Sequence, residues 1–148
     1  MERKQDALMV AIGLMWLAIL VMGWNGVWLP AMILSVFLML AHMALGATHK
    51  GKIDKKFFLY PLAAWAALWV ASFSLSAYFA DVFKGTVPSF TILGFHPSFA
   101  WTILTYWIGG ILTLSVGLYA CRDGWLSEAD WEGFKKEIAE IKAQGGKA

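Results

Sequence analysis

Three histidines and a single cysteine are the residues of this sequence with the widest chemical range. His42 and His49 are seven positions apart. On one continuous helix they would share a face, about 10 Å apart at a rise of about 1.5 Å per residue. One metal ion cannot bridge that gap. Zinc would need further ligands, and the one thiol that offers itself is Cys121. His96 belongs to the other side of the arrangement derived below. A bis-histidine haem needs two imidazoles at similar depth on facing helices, a condition that His42 and His96 do not meet. Met39 and Met43 beside His42 have the composition of a copper site, but methionine on an apolar helix is more often filling. His42 is therefore read as an interfacial or interhelix hydrogen-bonding residue. No metal and no cofactor is expected.

Nucleophilic chemistry finds no purchase either. No serine, threonine or cysteine has a base and an orienting partner at recognisable spacing. The hydroxyls lie in apolar helical stretches, where they bond back to the backbone. Gly109-Gly110 sits in the middle of such a stretch and is not a phosphate loop, and no Walker, Rossmann or zincin pattern occurs. No catalytic residue is assigned, and the chain is not expected to be an enzyme.

Four apolar runs must position whatever these residues do: Ala7–Trp24, Val27–Gly46, Phe57–Ala80 and Pro97–Cys121, none with a Lys, Arg, Asp or Glu. Each supplies about the 20 residues that cross a hydrocarbon core of about 30 Å as a helix. Lipid offers an open backbone no hydrogen-bond partners, so helix is required there. The whole chain agrees: of 148 residues, 59% are hydrophobic and 15% charged, where a soluble domain carries about 25% charged. The expected fold class is an all-α integral membrane protein. Its transmembrane domain (1–121) is a small bundle of four helices over about 7–24, 27–46, 57–80 and 97–121. A tail (122–148) follows, with an amphipathic helix over about 128–143. Arg3 and Lys4 before the first run resemble the start of a signal peptide. The run is too long for one and lacks a small-x-small cleavage site, so it is read as an uncleaved anchor.

Basic residues set the orientation. Eleven of the twelve Lys and Arg lie in the N-terminal arm, the loop THKGKIDKK (Thr48–Lys56) or the tail, and Lys84 alone lies on the other side. Both termini are expected in the cytoplasm, in a bacterial inner membrane. Asn25-Gly26 marks a tight turn between the first two runs. Trp24, Trp28, Tyr60, Tyr78, Phe79, Phe83, Trp101 and Tyr119 fall near run ends, the position of an aromatic belt. No Asp, Glu, Lys or Arg lies within a run, which argues against a proton pump or an ion-coupled carrier acting alone. Four spans are also few for a carrier built from inverted repeats. The lone Cys121 excludes an intrachain disulfide.

Two patterns point to partners. Gly109, Thr113, Gly117 and Cys121 recur every four residues, and Ser72, Ser76 and Ala80 do likewise. Small stripes let helix backbones approach closely in lipid. The stripe serves either packing between the third and fourth spans or docking onto another membrane protein. In the tail, Trp131, Phe134, Ile138 and Ile141 form one apolar stripe behind a start signal at Ser127 and Asp130. It requires a greasy surface, either the inner leaflet or a partner.

The segment from about Phe57 to Trp131 resembles the small accessory subunit of bacterial sodium:solute symporters. The resemblance rests on WAALWVASFSLSAYFAD (Trp65–Asp81), GFHPSFAW (Gly94–Trp101) and GLYACRD (Gly117–Asp123). The first two spans have no counterpart in it, and His96 interrupts the Gly-Phe-Pro pattern. It implies a non-catalytic subunit that joins a large multispan transporter subunit carrying small organic solutes, such as carboxylates, with sodium. The expected partners are that subunit and the lipid bilayer, with no nucleic acid. Phe95, Phe99 and Trp101, with the stripe Gly109, Thr113 and Gly117, are the expected docking residues, together with Trp131, Phe134, Ile138 and Ile141 of the tail. The residues leave two other classes open. One is the membrane anchor of an oxidoreductase or other enzyme complex; the other is a small self-assembling channel or exporter.

Overall fold

The computed structural model describes residues 2–48, 53–124 and 126–145. His49, Lys50, Lys52, Gly146 and Lys147, which entered the sequence reading, lie outside them. Among the described residues the protein is helical and without strands. It has α1 (Glu2–Trp24), α2 (Trp28–Gly46), α3 (Lys55–Val82), α4 (Pro97–Ala120) and α5 (Glu128–Gly145). The first four are long and apolar enough to cross a membrane. Their limits fall within two residues of those read from the sequence, except that α1 begins five residues earlier, at Glu2.

Local chemistry explains the ends. Asn25 donates its side-chain N–H to the Val21 carbonyl (2.7 Å), and Gly26 turns the chain at a φ of 74°, closing α1 onto α2. Pro30 lies in the first turn of α2, where its missing N–H removes no helical bond. The Asp54 carboxylate accepts from the Phe57 N–H (2.9 Å) and caps α3. Pro61, seven residues into α3, cannot donate to the preceding turn, and Phe58–Ala63 is wound as a π-helix around it. Two more π-wound stretches, Thr102–Ile108 and Ile111–Ser115, flank Gly109-Gly110 in α4.

Within the small bundle the helices follow one another as a row. α1 packs on α2, α2 on α3, and α3 on α4. α1 contributes one stripe to this, Leu8, Ile12, Met15, Ile19 and Met22, and leaves the rest of its circumference exposed. A helix apolar all round is at home in lipid. The core lies where α2, α3 and α4 meet at the end carrying the basic loop. There Val36, Trp65 and Ala66 form one buried cluster and Ala47, Phe57 and Leu62 a second, with Leu114 packed against both.

Candidate interaction surfaces

The seam between α3 and α4 is built on small residues. A Cβ placed on Gly109 would lie 2.8 Å from Leu68 Cδ1. One on Gly117 would lie 3.1 Å from Pro61 Cβ and 3.2 Å from Tyr60 Cε1. Thr113 is buried between them and donates its hydroxyl to the Gly109 carbonyl (2.7 Å). Of the two readings that the stripe left open, the structure shows the intrachain one: Gly109, Thr113 and Gly117 are buried against α3 of the same chain. The spacing was the right signal for close approach, but spacing alone does not say to which helix.

Polar bonds tie the same seam at both ends. Tyr60 donates its hydroxyl to the Leu112 carbonyl (3.2 Å), inside a π-wound stretch. Ser76 and Thr102 share a hydrogen bond of 3.3 Å. Between these ties Trp69 stacks on Tyr106 with centroids 3.9 Å apart, flanked by Trp65 and Phe73. Trp65, Trp69 and Ser72 occupy successive turns of α3, and the indole nitrogens and the Ser72 hydroxyl are buried without a hydrogen-bond partner among the described residues. A groove of about 520 Å³ lies at the end away from the basic loop. It runs between the start of α2 (Trp28, Met32), the end of α3 (Phe73, Ser76) and the start of α4 (Thr102, Tyr106).

The outward face of α4 carries the aromatics. Phe95 and Phe99 meet edge to face at 5.7 Å, and Phe99 meets Trp107 at 6.4 Å. Phe99 is 45% exposed and Trp107 53%. Ile111, Leu112, Val116 and Tyr119 continue this exposed face to the basic end. Trp101 does not join it; its indole nitrogen is buried. Trp107 was not among the residues singled out from sequence. Its eight-residue offset from Phe99, two helical turns and a little more, was the signal that identifies it.

The histidines resolve differently. His42 Nδ1 donates to the Leu38 carbonyl (2.9 Å) one turn back in its own helix, so the bond is intrahelical and not between helices. His96 caps α4: its Nδ1 accepts from the Ser98 N–H (3.2 Å) and bonds the Ser98 hydroxyl (2.7 Å), with Pro97 at the first helical position. Its ring also lies edge-on to Phe83, 5.8 Å away. The chain reaches His96 through a two-residue turn, Leu93-Gly94, closed by paired backbone bonds between Ile92 and Phe95. Both turn residues have positive φ, 54° and 79°. No group of three or more His, Cys, Asp or Glu that could hold a metal occurs among the described residues.

The tail helix stands apart. Asp130 accepts from the Ser127 N–H (3.1 Å) and hydroxyl (2.6 Å), and Ser127 Oγ accepts in return from the Asp130 N–H (3.2 Å). This reciprocal cap fixes the start of α5. Its stripe is left open: Trp131 is 43% exposed, Phe134 51% and Ile141 57%, with Ile138 half-buried. Compared with models of known families, with curated proteins and with solved structures, the chain matches none.

Proposed function

We propose that the chain is a non-catalytic accessory subunit of a membrane transport complex. It crosses the inner membrane four times with both termini in the cytoplasm. Its partner is a large multispan carrier that moves small organic solutes, such as carboxylates, with sodium. The observation that carries this reading is the outward face of α4. Phe95, Phe99 and Trp107 make a continuous aromatic row on the side of the helix that α3 leaves free. Rigid aromatic side chains lose little entropy on docking and fill pockets on a larger surface. The row replaces the small-residue stripe as the docking element. The resemblance of Phe57–Trp131 to symporter accessory subunits and the lack of Asp, Glu, Lys and Arg within the four apolar runs support the same reading.

Affinity purification of the tagged chain from its native membrane tests it. A multispan carrier should co-purify, and Phe99→Ala with Trp107→Ala should reduce its recovery while the chain still inserts. Haem absorbance in the purified complex would instead make the chain an enzyme anchor. Solute flux through vesicles holding this chain alone would make it a channel or exporter.

A further inference from the structure

We infer that α5 is a self-association helix that packs, parallel and in register, against α5 of further copies of this chain. The inference goes beyond the accessory role and rests on its topology: copies sharing one orientation send their tails from the same membrane face. The apolar stripe has the spacing of a coiled-coil seam. Trp131, Phe134, Ile138 and Ile141 follow each other at three, four and three residues, occupying positions a, d, a and d of consecutive heptads. Among the described residues none of the other helices makes a substantial contact with α5, and Trp131, Phe134 and Ile141 of the stripe are exposed.

The charges beside the seam choose the occupant. With Trp131 at a, the e positions are Lys135 and Lys142 and the g positions are Asp130 and Glu137. In a parallel pair each g residue meets the e residue five positions later on its neighbour. Glu137 then meets Lys142, and Asp130, whose carboxylate also caps the helix at Ser127, meets Lys135. In an antiparallel pair g would meet g and e would meet e, setting acid against acid and lysine against lysine. The sequence therefore favours one arrangement and opposes the other. Lys135 already lies along the seam edge, with its ammonium 5.9 Å over the Trp131 ring and paired with Glu132.

An anionic leaflet is the weaker occupant. α5 holds five carboxylates, Glu128, Asp130, Glu132, Glu137 and Glu140, against three lysines, whereas helices that lie on anionic lipid are rich in Lys and Arg on the polar face. An 18-residue helix is short for a free coiled coil. Seven residues separate it from the end of α4, and that tether raises the effective concentration of neighbouring tails. Isoleucine at both a and d favours three or four strands over two.

Cysteine crosslinking of the full-length chain in inverted membrane vesicles tests this, in a Cys121→Ser background. Mild oxidation should crosslink Ile138→Cys and Ile141→Cys but not Lys136→Cys, which faces away from the seam. Adding Glu137→Lys should abolish the Ile138→Cys crosslink, and adding Lys142→Glu as well should restore it. Equal crosslinking at all three positions, none at 138 and 141, or no restoration by the double change overturns the inference. Labelling of Lys136→Cys by an impermeant maleimide in intact cells would show separately that the topology has failed.

Discussion

His96 does the work of an N-cap residue with an imidazole nitrogen. Ser, Thr, Asp or Asn usually fills that position because a short side chain reaches the exposed N–H groups of the first turn. His96→Asn should therefore keep α4 anchored. His96→Ala should cost about 1 kcal/mol, read as a lower midpoint in a detergent unfolding titration. Leu93 is the opposite case. It holds a left-handed conformation that costs a side-chain-bearing residue about 1–2 kcal/mol, and a turn with two positive φ values prefers Asn-Gly. Leu93→Asn supplies that pair and should raise the same midpoint, by at most about 1 kcal/mol; a lower midpoint would mean that the exposed leucine itself is bound. Gly94 and Pro97 are by type a turn residue and a helix starter, but nothing in the sequence hints that His96 is the cap. Histidine is not a usual one, and the choice depends on the Leu93-Gly94 turn that aims it.

The seam between α3 and α4 was legible as spacing and illegible as direction. A four-residue repeat of small side chains implies that some helix comes close. Which one depends on Pro61 and Tyr60, whose side chains fill the hollow at Gly117. The π-winding could not be read at all, because nothing in residue type distinguishes Ile111–Ser115 from an ordinary helical run. Its effect is visible in the Tyr60 hydroxyl that binds the Leu112 carbonyl. A side chain at Gly117 would press on a proline ring that cannot change rotamer, whereas one at Gly109 meets the movable tip of Leu68. Gly117→Ala should therefore cost about 1–3 kcal/mol, and Gly109→Ala less. Gly13 on α1 has open space around it, so Gly13→Leu should be tolerated. Thermal unfolding of the three variants in one detergent should rank them in that order. A Gly13→Leu chain as damaged as Gly117→Ala would mean that α1 has a close neighbour outside the chain.

Across the whole molecule, the arm, the basic loop and the tail share one end, and Lys84 lies at the other. Reporter fusions at Lys4, Lys84 and Ala148 should read cytoplasm, periplasm and cytoplasm; a periplasmic reading at Ala148 would end the four-span reading. Hydropathy made the four long apolar helices easy to see, since each holds an uninterrupted apolar run. Their arrangement as a row was hidden, because α1 is apolar on every side and periodicity cannot show which stripe of such a helix is covered. The candidate spans also differ in length: Asp6–Trp24 of α1 has 19 residues, α2 19, α3 28 and α4 24. At about 1.5 Å per residue, the two shorter candidate spans come to about 28 Å and α3 to about 42 Å. On the proposed four-span topology, a hydrocarbon layer about 30 Å thick would fit the first pair upright, while the longer third helix would lean or carry its lysine-bearing start into the headgroups. On that topology bilayer thickness would act on the angle between the two halves of the row. Thicker membranes would stand α3 up and strain the short hairpin, and thinner ones would tilt α3 further, so acyl-chain length would become a variable to which the fold responds.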